Sequence, residues 1–294
     1  MRGRPRKREF GSRWRARLKA APEPEERHEV DDGWAPREMD MHVPNVARMY
    51  DYYLGGKDNY AADREAAEQI LARAPFTPVL ARHNRAFLRR AARHLAASGV
   101  RQFLDVGTGL PTQGNVHEVV RELVPDARVA YLDVDPVVVA HGRALTATDD
   151  RTIVLEHDLR NVEGILTDPV LRETIDFGEP VGLMLLAVLH CLSDEEDPYG
   201  SVAALRDALP PGSHVVISHI TGDDAVTENS TQVYGNANTG MTHRGREEQL
   251  RFFDGWTLLE PGLVRLDEWR PDPGTGTIGA AGDYFLCGVG AKTP

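Results

Sequence analysis

The sequence predicts an α/β protein: a mostly parallel sheet, a helical segment ahead of it and an antiparallel hairpin at its end. Three observations carry this reading. From residue 102 onward short apolar runs alternate with helical patterns, the rhythm of parallel βαβ units. The first run leads straight into a Gly-x-Gly turn, Gly107-Thr108-Gly109, and open α/β sheets bind ligands at the carboxyl ends of their strands. The last two runs, Trp256–Leu266 and Asp283–Gly290, have no helical pattern between them, which favours a hairpin over a crossover.

The helical segment comes first. Asn45 caps a helix whose apolar side is Val46, Met49, Tyr50 and Tyr53, stopped at Gly55-Gly56, where glycine tolerates a left-handed backbone. A second helix is expected over Asp63–Arg73, with Asp63 as cap and Ala66, Ala67, Ile70 and Leu71 on one face. A third carries the stripe Phe87, Leu88, Ala91, Ala92 and Leu95 and ends at Ser98-Gly99. The strands then follow at Gln102–Val106, Arg128–Leu132, Thr152–Glu156, Val181–Leu189 and His214–Ile220. Between them Asn115 with Glu118 marks one helix start and Asp168-Pro169 another. A helix is expected around Arg246–Phe253. Residues 221–243 are polar and rich in Gly and Asn, too long for an ordinary connection, and read as either mobile or functional. With Asn229, Tyr234, Asn236, Asn238 and His243, this stretch is a candidate lid over an acceptor.

Composition bounds the rest. At 294 residues, 41% hydrophobic and 27% charged, the chain is globular and long enough for a sizeable core, which excludes fibrous and wholly disordered classes. Residues 1–20 hold nine Lys/Arg against Glu9, a net +8, which leaves −19 for the remainder of a chain of net charge −11. Residues 1–40 are rich in Arg, Glu and Pro and are expected to be disordered. Their basic run reads as a solvated tail, or as a start assigned upstream of Met39 or Met41, with a patch for nucleic acid or an acidic partner as the alternative. Two cysteines, Cys191 and Cys287, make no disulfide framework, the longest apolar run is too short to span a bilayer, and no secretory signal is evident. A cytoplasmic, membrane-free protein is expected. The histidines show no paired ligand spacing, so no metal site is expected.

The most informative stretch is Phe103-Leu104-Asp105-Val106-Gly107-Thr108-Gly109-Leu110-Pro111. Thr112 stands where a dinucleotide fingerprint has its third glycine, which disfavours a pyrophosphate. The acid two residues before Gly107 points to a cationic ligand, and S-adenosylmethionine carries both an ammonium and a sulfonium. Asp133 ends the second strand, where acids accept from ribose hydroxyls in nucleotide-binding α/β folds; Val134 follows it, and Asp135 before Pro136 reads as a helix cap. Asp158 follows the third strand, placed to accept from an adenine amino group while Leu159 covers the ring.

These residues resemble class I S-adenosylmethionine-dependent methyltransferases, and within them an actinobacterial S-adenosyl methyltransferase family formerly described as a domain of unknown function. The match rests on Tyr50-Asp51-Tyr52-Tyr53-Leu54-Gly55-Gly56-Lys57-Asp58-Asn59-Tyr60-Ala61-Ala62-Asp63-Arg64, on the glycine stretch through Thr112, on Ala187-Val188-Leu189-His190, and on Arg251-Phe252-Phe253-Asp254-Gly255. The broader class has a third glycine where Pro111 stands. The resemblance covers roughly residues 44–290. It implies a Rossmann-like, seven-stranded sheet with the terminal hairpin and helices on both faces, with a tail over 1–40, a helical cap over the cofactor at 41–97 and a methyltransferase domain at 98–294. It also implies that Tyr50, Gly56, Lys57, Asn59 and Tyr60 line the cofactor pocket together with Asp105, Gly107, Thr108, Gly109, Asp133, Val134, Asp158 and Leu159, and that Lys57 or Asn59 takes the cofactor carboxylate.

Methyl transfer from a sulfonium needs proximity and alignment more than covalent catalysis. His190, at the end of the fourth strand, is the expected general base or pocket wall. Enzymes that methylate exocyclic base amines carry an Asn/Asp-Pro-Pro-aromatic stretch where this chain has Ala187-Val188-Leu189-His190, so a small-molecule acceptor is expected rather than nucleic acid. Cys191 lacks the neighbours of a cytosine-methylating nucleophile and is assigned to packing. Two alternatives stand beside this reading: a non-catalytic S-adenosylmethionine-binding regulatory module and a nicotinamide-dependent oxidoreductase.

Overall fold

Local capping chemistry sets where the helices begin. The computed structural model describes residues 41–293 apart from 113, 148, 223 and 224, so the expectation for 1–40 lies outside the described residues. Asn45 caps α1 (Val46–Tyr53), its side-chain oxygen accepting from the Ala47 and Arg48 N–H groups at 2.8 and 3.1 Å. Helix α2 (Ala61–Leu71) starts two residues before the expected cap. Asp63 is its third residue and reaches back to accept the Tyr60 N–H at 2.7 Å, so the acid satisfies the helix start from inside it. Helix α3 (Thr77–Ala97) is longer than its apolar stripe, opening on Thr77-Pro78, where proline's missing N–H costs nothing.

The parallel core follows: β1 (Gln102–Val106), α4 (Val116–Arg121), β2 (Arg128–Asp133), α5 (Pro136–Leu145), β3 (Thr152–Glu156), α6 (Val162–Thr167), α7 (Pro169–Thr174), β4 (Val181–Leu186), α8 (Pro198–Ala208) and β5 (His214–Ile220). Asp135 and Asp168 cap α5 and α7, accepting from the Val137 and Leu171 N–H groups at 2.7 and 2.8 Å. The fourth strand is three residues shorter than expected. Ala187 takes a left-handed backbone, φ 54°, and residues Leu189–Cys191 turn in a short 3-10 helix.

After α9 (Ala225–Tyr234) and α10 (Arg246–Leu250), the chain adds β6 (Thr257–Leu258), β7 (Val264–Arg265) and β8 (Phe285–Ala291). The sheet order is β3-β2-β1-β4-β5-β8-β6, with β7 also on β8. Strands β1 to β5 are parallel and β8 runs antiparallel to β5. The terminal hairpin is therefore present, but its outer strand is broken: Leu258 pairs Gly290 and Val264 pairs Cys287, while Pro261-Gly262 between them leaves the ladder. Proline has no N–H to donate there. Both pieces occupy one edge position, which makes seven positions across the sheet.

Alternation along β1 divides two cores. Phe103 faces the layer of α3 and α4 with Phe87, Leu95 and Val120, whereas Leu104 and Val106 face α6, α7 and α8 with Ile165, Leu171 and Leu205. A sheet covered on both faces needs such continuous apolar strands. A third cluster joins Met49 and Tyr53 of α1, Ala67 and Ile70 of α2 and Val233 and Tyr234 of α9. The 221–243 stretch thus contains helix α9, packed on the helical segment through a Tyr53–Tyr234 hydroxyl contact of 3.0 Å.

Candidate active site

The carboxyl ends of β1 to β4 open into one cavity of about 500 Å³. Its floor is the turn after β1. Gly107 has φ +72°, and a Cβ there would lie 2.3 Å from a Val188 methyl carbon, so glycine is required by both backbone and packing. Gly109, at φ +68°, has no protein atom within 4 Å of where its Cβ would be, which leaves open cradle space above the backbone. Asp105, Thr108, Asp133, Val134, Asp158 and Leu159 all border the same cavity.

These acids stand in different electrostatic states. Burial pushes the Asp105 carboxyl up to about 7, although Arg85 and the Thr108 hydroxyl, 3.3 Å away, both pull it down. Burial likewise pushes Asp133 up to about 6, against the pull of the Gly109 and Asp135 N–H groups that it accepts at 2.9 and 3.0 Å. One donor on each Asp133 oxygen leaves lone pairs for two more. At Asp158 burial also pushes upward, but the Arg160 guanidinium wins and holds the carboxylate below its ordinary value. Arg160 grips Asp158 at 2.5–2.9 Å and Glu196 at 2.7 Å, a bridge that the sequence reading missed because its far partner lies 36 residues away.

The roof comes from the helical segment. Asn45 donates a close hydrogen bond to Asp135, the cap of α5, so one side chain starts α1 and ties it to the end of β2. Arg48 is buried against Asp63 at 2.8 Å and also donates to the Val43 carbonyl at 2.9 Å. Tyr50 borders the cavity, its hydroxyl donating to the Ala81 carbonyl and accepting from Asn84. Gly56, Lys57, Asn59 and Tyr60 do not border the cavity, which corrects their expected placement. They wrap Asp51 instead. The Asp58 N–H and Asn59 Nδ2 donate to Asp51 Oδ2 at 3.0 and 2.8 Å, and a Cβ on Gly56 would overlap the Asp51 carboxylate, while Lys57 points to solvent. Asp51 itself is buried and lines the cavity.

Arg85 of α3 enters the cavity opposite Asp105. Its terminal nitrogen makes long contacts to the Gly114 carbonyl and Asn115 Oδ1, 3.3 and 3.4 Å, and its buried Nε has no partner among the described residues. No local pattern marked it, since it lies on the polar edge of an apolar stripe.

The last wall is the turn after β4, with Ala187, Val188, Cys191 and Leu192, faced by Asn238 and Thr239. His190 does not border the cavity, contrary to expectation. Because β4 ends early, its ring turns inward, edge-on to His219 at 5.3 Å, and burial holds its pKa well below the ordinary value. Burial pushes the Cys191 thiol up to about 12, which keeps it protonated. The turn is held from behind by Arg244, 1% exposed, which donates to the Leu189 and Leu192 carbonyls at 3.0 and 2.9 Å and to Asp194 at 2.7 Å. Arg244 also donates to His219 Nε2 at 3.1 Å, so that ring is neutral and donates from Nδ1 to the Ile220 carbonyl. Among the described residues no group of three His, Cys, Asp or Glu is arranged to hold a metal ion, and no helix is long and apolar enough to cross a membrane.

Comparison with known proteins bears on this cavity. Residues 32–293 match the profile of a family described as S-adenosyl methyltransferase. A crystal structure from Thermobifida fusca, provisionally designated a methyltransferase, is 40% identical, covers 89% of this chain and 99% of its own, and superposes with a TM-score of 0.81. One from Streptomyces avermitilis, of domain-of-unknown-function family 574, is 38% identical, covers 87% and 99%, and gives 0.82. No curated protein matches the chain.

Proposed function

Because the chain belongs to the S-adenosyl methyltransferase family, and is thereby an S-adenosylmethionine-dependent enzyme, we propose that the cavity at the strand ends holds that cofactor and passes its methyl group to a small molecule. The observation that carries this reading is the grouping in one cavity of Asp105, Asp133, Asp158 and Arg85. Asp105 suits the ammonium, Arg85 the carboxylate, Asp133 the ribose hydroxyls, and Asp158 with Leu159 the adenine. Two features fit such a ligand on their own account: the open space above Gly109 and the unpartnered Nε of Arg85. A nucleotide would offer neither an ammonium for Asp105 nor a carboxylate for Arg85.

When bound, the cofactor supplies an electrophilic methyl on a sulfonium. The chain's part is to hold that methyl in line with the acceptor and to exclude water, a contribution of roughly 7–11 kcal/mol in well-oriented systems. The size of the cavity supports a small acceptor, since about 500 Å³ must house both reactants under the roof of α1 and residues 238–239. Calorimetry with S-adenosylhomocysteine and NADH tests the assignment. Micromolar binding of the first, weakened ~10–100-fold by Arg85→Met or Asp105→Asn, is expected; binding of NADH in its place would overturn it.

A further inference from the structure

We propose that Asp51 is the acceptor-binding carboxylate and that the acceptor is a small amine on an apolar body. The inference rests on the cofactor reading above and extends it to the other half of the cavity. Strands β1 to β3 and Arg85 account for the cofactor's polar groups. What remains comes from α1, the turn after β4 and the 238–239 segment: Leu54, Val188, Cys191 and Leu192 are apolar or held neutral, and Thr239 is engaged with the Cys191 carbonyl at 2.8 Å. Arg48, though nearby, is neutralised by Asp63. Asp51 is the charged group left facing this space.

Its construction is asymmetric. Oδ2 is fixed by the Asp58 N–H and Asn59 Nδ2, while no donor among the described residues reaches Oδ1. Asp51 as a residue is 5% exposed, and Oδ1 is not among the fully enclosed unpartnered atoms, so it is the carboxylate oxygen left accessible to a donor that a ligand brings. The most distinctive motif of the chain, Gly55 to Tyr60, folds around this side chain. Gly56 is the residue that lets the carboxylate sit where it does, since a Cβ there would fall on it, and the two donors on Oδ2 fix its orientation.

The chemistry follows from Oδ1. A neutral amine donates one N–H to Oδ1, which leaves its lone pair free to face the methyl. The nitrogen–carbon bond forms as the carbon–sulfur bond breaks, and the breaking bond's electron pair stays on sulfur. The positive charge thus moves from sulfur to nitrogen, beside the carboxylate, and the product leaves as an N-methylammonium that loses a proton to solvent. Asp51 needs no proton transfer of its own. It stabilises charge as that charge develops on nitrogen, an effect worth ~10²–10³-fold in rate for a single preorganised group. A carboxylate or phenolate acceptor would instead be repelled.

The test begins with wild-type protein and S-adenosylhomocysteine; failure to bind it sinks the cofactor reading and is seen before any acceptor is added. With the S-adenosylhomocysteine-loaded protein, phenethylamine is titrated against the matched carboxylate 3-phenylpropionate, and turnover is then followed over amine, acid and phenol panels with S-adenosylmethionine. The expected result is at least ~10-fold tighter binding of the amine, turnover confined to amines, and kcat/KM rising with pH as the amine loses its proton. Asp51→Asn is expected to keep S-adenosylhomocysteine affinity within about threefold while lowering kcat by ~10²-fold or more. Loss of S-adenosylhomocysteine binding in that variant, equal or tighter binding of the carboxylate, or no response to any amine overturns the proposal. The wild-type ligand comparison decides the matter even if the variant fails to fold.

Discussion

Burial of Asp105 outweighs the pull of Arg85 and favours the protonated form, and this has two consequences of opposite sign. Its pKa is raised from 3.8 to about 7 by desolvation, so the folded protein holds the proton more tightly than the unfolded chain does. Stability of the empty protein therefore falls as pH rises from about 4 to about 7. Cofactor affinity runs the other way, because an ammonium selects the ionised form. Isothermal titration of S-adenosylhomocysteine from pH 5.5 to 8.5 is expected to show affinity weakening toward tenfold per unit below about pH 7, with proton release on binding; a flat profile would remove Asp105 from the ammonium site. Asp105→Asn is expected to raise the melting temperature of the empty protein and weaken binding ~10–100-fold, as loss of a charged hydrogen bond does. The two glycines of the turn are expected to separate cleanly. Gly107→Ala pushes a Cβ into Val188 and should cost roughly 2–4 kcal/mol in a denaturant titration. Gly109→Ala meets no protein atom, so its fold should survive with a cost near 1 kcal/mol while S-adenosylhomocysteine binding is lost.

At the scale of elements, what was legible in the sequence is what short-range chemistry decides. Asn45, Asn115, Asp135 and Asp168 each cap the helix expected of them, because a cap is satisfied within three residues of itself. Asp63 has the same residue type and the same helix beside it, yet it works from the third helical position, and only its engagement with Arg48 and the Asn45 N–H tells the two roles apart. The strand-end acids were readable because an apolar run ends where they begin. Arg85, Arg160 and Arg244 were not, since each is defined by partners across the fold. The family resemblance implied that Gly56, Lys57, Asn59 and Tyr60 line the pocket, and local sequence could not show that Gly56, Asp58 and Asn59 close on Asp51 instead. The fastening of α1 yields its own prediction. Asn45→Ala removes a helix cap and the tie to Asp135 together, and should cost ~1–2 kcal/mol and speed proteolysis within residues 41–60, with protection restored by S-adenosylhomocysteine. Proteolysis unchanged from wild type would show that α1 is held by its apolar face alone.

The cavity is lined by both the strand ends and the helical segment, so a ligand bound there should report on global stability. At a hundredfold excess over its dissociation constant, S-adenosylhomocysteine should add ~2.7 kcal/mol and raise the melting temperature by roughly 5–10 °C in a thermal-shift assay. The order of the strands carries a consequence for biogenesis. Strand β5 has β4 on one side, and its other side is met by β8, which lies some seventy residues later in the chain. A nascent chain that has emerged as far as residue 250 already holds every strand-end carboxylate and the Arg244 brace, yet it presents β5 as a bare, apolar edge. Synthesis at about 5–20 residues per second keeps that edge open for several seconds. The ribosome-bound intermediate is thus the form of this protein most in need of a chaperone, and a chain cut before Phe285 should aggregate through β5.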